Sequence, residues 1–384
     1  MIQESLKLKI IFYTDTLEYG GAEKYLEELI DYFSQANNRL YLLCADPQVF
    51  KHLKISERLE IISFKSVKFF DPRGIFIKSV TKNFLKKIEP DLVYFNFCTP
   101  YSCWFGVWAA SEVLPKERLF GMMHNPEFPE PRYPLVGLIR RFIARIILHK
   151  IGNLICPSRA GSQLLAKNCR LESNKIRIIY NGVDHTPVYD SDMQEIVVRY
   201  NLAGKRIVLC VSRLVKRKGF ETLIFAFKRV TEVIFNAVLL LVGDGYLLSK
   251  LKALALREGI AHNVIFAGFH PKVHNFFGLS EVAVVPSLYE SFSYSVTEAM
   301  IQAKPVVATQ VGGIPELINE SCGILVPPAD VSALSAAIIK ILQDRSHAIE
   351  LGQKAQERAK EEFSKERMFK KLKALFGEIV LSKK

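Results

Sequence analysis

The 384-residue sequence has no low-complexity tract, and no apolar run approaches the ~18 residues that a membrane-spanning helix needs. Its seven cysteines (Cys44, Cys98, Cys103, Cys156, Cys169, Cys210, Cys322) form no CxxC pair and, being odd in number, cannot all be bridged. This argues against a disulfide framework or a cysteine-built zinc site, and fits a reducing cytosol. Neither GxGxxG nor GxxxxGK[ST] occurs, so the dinucleotide-fold fingerprint and the P-loop are both missing. The opening residues, MIQESLKLKIIFYTD, hold one short apolar run, IIFY, which suits a first strand better than a secretory signal.

What is present is a soluble globular composition, 49% hydrophobic and 24% charged, long enough for two cores. The net charge of +13 is shared between the halves, +7 through residue 184 and +6 after it, and favours an anionic partner. It is densest at residues 65–88, where Lys65, Lys68, Arg73, Lys78, Lys82, Lys86 and Lys87 face one acid, Asp71. Short apolar runs alternate with helical patterns. KLKIIFYT, RLYLLCA, LEIISF, DLVYFNF, RLFGMMH and NLICPS read as strands in the first half; RIVLCVS, AVLLLVG, NVIFAG, VAVVPS, PVVAT and GILV do so in the second. Runs apolar on both faces with helices between them predict parallel sheets covered on both sides. The expected architecture is α/β, with two Rossmann-like doubly wound domains facing a cleft. Their expected extents are 1–184, a linker at 185–203, 204–365, and a final helix at 366–384 that packs back on the first domain.

Ligands of doubly wound sheets sit at the carboxyl ends of strands. The first strand exits into TDTLEYGGAEKYLEELI, where Gly20 and Gly21 precede a helical pattern. Glycines there let a ligand approach the backbone, and the helix start offers amides to a phosphate; an ordinary turn is the alternative. Past RIVLCVS stand Arg213 and Lys218. Such cations suit a diphosphate, Arg taking two oxygens at once, although a KRK loop is equally well read as solvated charge. NVIFAGF ends at Gly268 and Phe269, a strand end able to present backbone groups to a base edge or merely to turn. SLYESFSYSVTEAM, residues 287–300, places Glu290 at a strand exit and Glu298 eight residues on. With Ser291 as the expected N-cap, Glu298 falls about two turns into a helix, on the side of Glu290. The amides of Phe292, Ser293, Tyr294 and Ser295 then lie at a helix start, where negative charge is favoured. The arrangement suits a sugar hydroxyl, a phosphate and a ribose diol side by side, or else two solvated glutamates.

GGAE, VSRL followed by KG, LVGDG, and the E-x7-E inside PSLYESFSYSVTEAMIQAKPVVATQVGGIPELI together resemble one family: the retaining, two-domain nucleotide-sugar glycosyltransferases of the GT-B fold, family 4. The likeness spans nearly the whole chain and is most specific in its carboxyl-terminal third. It implies that Glu298 accepts both ribose hydroxyls and that Arg213 and Lys218 stabilise the charge growing on the donor diphosphate. It also implies that Glu290 lies near the hydroxyls of the transferred sugar, that Gly20 and Gly21 close on donor or acceptor, and that His124, in GMMHNPEF, faces the sugar. Ser293 stands where many members have glycine, and Ser291 often does too; the extra Cβ narrows the approach and bears on which sugar is taken.

The implied reaction moves a hexose from a nucleotide diphosphate sugar to an acceptor hydroxyl with retention, by attack on the face the phosphate leaves. Glu290, His124, Arg213 and Lys218 are the catalytic candidates. No metal or other cofactor is expected: Asp190-Ser191-Asp192 has DxD spacing but follows no strand, so solvated acid is the favoured reading. The implied acceptor is a glycan or a lipid-linked glycan, and the expected location is cytoplasmic. An anionic membrane surface is a further candidate partner, through the 65–88 stretch and PLVGLIRRFIARIILHKIGN, where Arg141, Arg145 and His149 form a stripe; a helix packed on a sheet shows the same pattern. A non-transferring sugar-nucleotide enzyme, such as an epimerase or phosphorylase, is the nearest alternative. The other alternative is a nucleic-acid-binding protein using the +13 charge, but nucleic acid is not an expected partner, because basic and aromatic residues do not interleave along one face.

Overall fold

The computed structural model describes residues 7–51, 53, 57–64, 73–128 and 134–381. Lys65, Lys68 and Asp71 of the basic stretch lie outside them. Two compact units are present, one formed by Met1–Tyr180 with the chain from Met368 on, the other by Asn181–Arg367.

The first unit is built on seven parallel strands: β1 (Lys9–Thr14), β2 (Arg39–Cys44), β3 (Leu59–Ser63), β4 (Leu92–Phe97), β5 (Leu119–Met123), β6 (Asn153–Cys156) and β7 (Ile176–Ile178). Their spatial order is β3-β2-β1-β4-β5-β6-β7. The second unit has six parallel strands: β8 (Arg206–Val211), β9 (Ala237–Val242), β10 (Val264–Gly268), β11 (Val282–Val285), β12 (Val306–Thr309) and β13 (Ile324–Val326). Their order is β10-β9-β8-β11-β12-β13. Every residue of β4, β5 and β9 is buried, as two-sided helical cover demands. All the apolar runs read as strands form strands. The unforeseen one, β7, is three residues long with exposed Arg177 at its centre, so it shows no apolar run.

Two boundaries differ from expectation. The expected linker, 185–203, is folded into the second unit: it holds the helix Asp190–Arg199, whose Ile196 is buried. The Asp192 carboxylate accepts from Asn275 Nδ2 at 3.0 Å and pairs with Lys272 at 3.4 Å, so this acid of the DxD caps contacts within the fold. The chain enters the second unit at Asn181, where the Val183 amide donates to the Phe363 carbonyl at 2.8 Å.

The final helix, Lys365–Leu381, contributes to the first unit from Met368 on. Phe376 is buried among Phe33, Tyr94 and Phe120, with ring centroids 5.1, 5.9 and 4.8 Å away. Phe369 stacks on Tyr32 at 4.1 Å. These aromatic contacts fasten the carboxyl-terminal helix to the amino-terminal sheet. Phe376→Ala is expected to lower unfolding free energy by about 3–5 kcal/mol, measured by denaturant titration. A loss under about 1 kcal/mol would mean the helix is a dispensable appendage.

Candidate functional site

In the second unit β8 and β11 are direct neighbours although β9 and β10 intervene in sequence. The winding reverses between them, and such a reversal leaves room for a ligand outside the strand ends. The loops leaving these two strands run against each other. Gly219 holds a left-handed backbone, φ 69°, and a Cβ there would lie 1.9 Å from the Pro286 carbonyl oxygen. The Leu288 amide donates to the Arg217 carbonyl at 2.8 Å.

This backbone contact sets Lys218 beside Glu290. The Lys218 ammonium donates to Glu290 Oε1, and the Ser287 hydroxyl donates to the same oxygen at 3.0 Å. Arg217 stands 3.9 Å from Oε2. The Glu290 side chain is 5% exposed and that of Lys218 15%. A third loop closes on the same residue: the Gly313 amide donates to the Glu290 carbonyl at 2.9 Å, and a Cβ on Gly312 would meet that oxygen at 1.8 Å. Burial lowers the pKa of Lys218, Glu290 opposes the shift, and the charges of Arg217 and Arg213 add to it. Two cations thus meet one carboxylate at the strand ends, and the charge of a third, Arg213, is felt by Lys218. A local excess of positive charge in a partly dry site is what a diphosphate requires.

The helix after β11 is Tyr294–Ile301, and its N-cap is Ser293, whose hydroxyl accepts from the Val296 amide at 3.4 Å. Ser291 is therefore not the cap. The chain must first pass Arg217 and Gly313 before it can turn, which delays the helix by two residues. The Ser291 hydroxyl is buried and has no hydrogen-bond partner among the described residues. Glu298 is consequently the fifth helical residue, half-buried and already engaged in an interaction. Ser295 ties the helix to β8 by donating to the Val211 carbonyl at 2.6 Å. Phe292 packs edge-on against Tyr294 and Phe363, at 5.7 and 6.4 Å. Gly268 ends β10 with φ 74°, and its carbonyl already accepts from the Gly243 amide at 2.8 Å; the Phe269 ring is exposed.

The first unit repeats the theme. β1 and β4 adjoin at its own reversal, and Asp15 after β1 accepts the Cys103 amide at 2.7 Å from the loop after β4. Gly20 is extended, φ −165°, and the helix Gly21–Gln35 has no side-chain cap. No left-handed backbone explains Gly20, so its small size is what remains to be useful. Asn96 of β4 donates to the Ala22 carbonyl at 3.2 Å, and its oxygen lies 2.7 Å from His124 Nε2. That orientation makes Nε2 the donor. Burial holds its pKa down to about 3, and its ring meets Tyr25 edge-on at 5.0 Å. His124 is thus suited to hydrogen bonding in its neutral form near pH 7, not to carrying charge.

Reasoning from sequence missed Ser287, Arg217 and Gly312 in the second unit and Asp15 and Asn96 in the first. Ser287 and Arg217 were in view within PSLYE and KRK, but nothing local says which polar residue of a loop turns inward.

A family model described as glycosyl transferases group 1 matches residues 192–361, and one described as glycosyltransferase family 4 matches residues 19–186. The chain belongs to glycosyltransferase family 4. Among curated relatives it resembles N-acetyl-alpha-D-glucosaminyl L-malate synthase of Bacillus anthracis, 29% identical over 53% of this chain and 54% of that protein. The GDP-mannose-dependent alpha-(1-6)-phosphatidylinositol monomannoside mannosyltransferase of Mycobacterium tuberculosis is 29% identical over 65% of this chain and 68% of that one. The chain spans about half the length of the first curated relatives it matches. Solved structures that it resembles include Anabaena HepE in complex with UDP, at TM-score 0.80 and 22% identity, covering 97% of this chain and 100% of that one. Sucrose-phosphate synthase from Thermosynechococcus elongatus gives TM-score 0.80 and 23% identity, over 98% and 100%. These likenesses give the family 4 protein a GT-B fold with two Rossmann-like units.

Two outcomes follow for this site. Lys218→Met leaves the buried Glu290 carboxylate without its nearest cation and should destabilise the fold by about 3–5 kcal/mol in thermal or denaturant unfolding. Adding Glu290→Gln should restore much of that loss; a double variant no better than the single one means the pair is not coupled. For His124, the unfolded imidazole takes a proton near its ordinary value while the folded one refuses it until about pH 3. Stability should therefore fall as pH drops through this window, by up to about 1.4 kcal/mol per unit. His124→Gln should flatten that slope.

Proposed function

We propose that this protein is a metal-independent, retaining glycosyltransferase that moves a hexose from a nucleotide diphosphate sugar to a hydroxyl of a glycan or lipid-linked acceptor. The carrying observation is the Glu290–Lys218–Ser287 cluster, with Arg213 and Arg217 beside it, at the winding reversal of the second sheet in a family 4 chain. On this reading Arg213 and Lys218 take the diphosphate and stabilise the charge that develops on it as the glycosidic bond breaks. Glu290 and the unpartnered Ser291 hydroxyl receive hydroxyls of the sugar, Glu298 receives the ribose diol, and Gly268 and Phe269 border the base. The first unit presents the acceptor, with Gly20 and Gly21 lining its approach and neutral His124 as a hydrogen-bonding group. The relatives named above, a synthase of N-acetyl-alpha-D-glucosaminyl L-malate and a GDP-mannose-dependent phosphatidylinositol monomannoside mannosyltransferase, support the reaction class without choosing the donor. The proposal extends to synthesis of cell-surface polysaccharide or glycolipid by an enzyme on the cytoplasmic side, peripheral to the membrane.

Thermal unfolding against UDP, GDP and ADP should show one nucleotide raising the melting temperature, since only a ligand of the folded state does so. With the matching nucleotide sugars, donor turnover should persist in EDTA, and Arg213→Ala should lower kcat/KM by roughly 10²-fold. Stabilisation by none of the three nucleotides, or an Arg213→Ala enzyme within a few-fold of wild type, overturns the assignment.

A further inference from the structure

The helix Pro134–Leu148 packs Ala144, Ile147 and Leu148 into the core of the first unit. Leu135, Leu138, Phe142 and Ile146 of the same helix are exposed, Leu135 by 67% and Phe142 by 64%. At about 100° per residue these four fall within roughly 80° of arc, on the side opposite the buried three. A helix that only covered a sheet would have one apolar face; this one has two. Arg141, Arg145 and His149 border the outer stripe and are themselves exposed.

The neighbouring helices continue the pattern. Trp104–Ser111 packs against both Pro134–Leu148 and Arg73–Ile88, and all three cover the same core. On the first helix, Ile75, Phe76 and Val80 are exposed, Phe76 by 71%, and Trp108 of the middle helix is partly so. Arg73–Ile88 carries five basic residues, Pro134–Leu148 three, and none of the three helices carries an acid. Two acids adjoin the helices: Glu89, exposed just past Ile88, and Glu112, which is held by Lys78 at 2.5 Å and Lys82 at 2.6 Å in a group that stays net positive. An ordinary wet surface mixes both signs of charge and scatters its large apolar side chains singly.

We propose that these three helices form a face that docks on an anionic lipid bilayer, Leu135, Leu138, Phe142, Ile146 and Phe76 entering the headgroup boundary while the lysines and arginines meet lipid phosphates. Charge complementarity selects this occupant: the three helices carry cations and no acid, which suits an anionic surface, and a second copy of the same face would set cation against cation. Apolar burial supplies the attachment and charge supplies the lipid preference. The inference deepens the proposed peripheral location but does not depend on the transfer chemistry, because none of its residues belongs to the Glu290 cluster.

The test is co-sedimentation of the full chain with vesicles of phosphatidylcholine alone or with about one third phosphatidylglycerol, at low salt and at high salt, where surface charge is screened. Binding is expected to the anionic vesicles only, and to weaken with salt. Leu138→Ser with Phe142→Ser, and separately Arg141→Gln with Arg145→Gln, should each reduce partitioning by about tenfold or more. Both variants should keep the wild-type melting temperature and its nucleotide response, so failure here is distinguishable from failure of the transferase reading. Wild-type protein that stays in solution with anionic vesicles at low salt overturns the proposal. So does undiminished binding by both variants, or a concentration-dependent dimer abolished by Leu138→Ser with Phe142→Ser.

Discussion

Everything at the candidate site follows from one close approach, the passage of the loop after β8 against the loop after β11. Parallel sheets wound in two directions bring the first and fourth strands of a unit side by side, and their outgoing loops then compete for the same space. Here the competition is resolved by leaving out side chains. Gly219 under the Pro286 carbonyl and Gly312 under the Glu290 carbonyl are positions where a Cβ would overlap backbone oxygen. With the backbones that close, a lysine from one loop reaches a glutamate from the other inside a region too dry for either charge alone. The ion pair is thus less a source of stability than a consequence of topology, and it fixes the position of the Glu290 carboxylate at the strand ends.

How far the sequence announced this depends on the range of the signal. Strands such as VYFNF and AVLLLV were legible because burial on both faces leaves an uninterrupted apolar run, whereas β7 was not, its middle residue being a solvent-facing arginine. Glu290, Lys218 and Arg213 were legible as strand-exit residues, and the pairing of strand ends followed from the winding rule. The N-cap was misplaced by two residues because Ser291 and Ser293 are chemically equivalent candidates. What separates them is the detour past Arg217 and Gly313, which comes from other parts of the chain. Ser287 was missed for the same reason, since its hydroxyl turns inward only because Glu290 is already there. The expected linker became helix because Ile196 finds a core and Asp192 finds Asn275, neither of which is visible within the segment itself.

The two units solve the same problem with different chemistry. The reversal in the second is knit by an ion pair under converging cations; that in the first is knit by Asp15 on the Cys103 amide and by the Asn96 amide between Ala22 and His124. The first contains no comparable group of cations at its strand ends among the described contacts, and the imidazole it offers is held neutral by burial. A diphosphate would find far more compensation in the second unit, and an uncharged hydroxyl would be at home in the first. This division of labour comes from electrostatics alone and agrees with the order of donor and acceptor units in the proposed reaction.

On that reading the Glu290–Lys218 pair also bears on how a donor enters. Without ligand, each charge satisfies the other and neither stands bare in a desolvated pocket. A diphosphate that draws on Lys218 must offer the ammonium at least as much as Glu290 does, while Glu290 must gain something in exchange. A sugar hydroxyl donating to the freed carboxylate oxygen supplies it, and Ser287 keeps that oxygen from losing all its partners meanwhile. A bare nucleoside diphosphate provides the anion without the hydroxyl, so it takes the lysine and leaves the carboxylate short. On the proposed assignment the coupling would therefore favour an intact nucleotide sugar over the nucleotide product, because Lys218 would meet the diphosphate while Glu290 would meet the sugar.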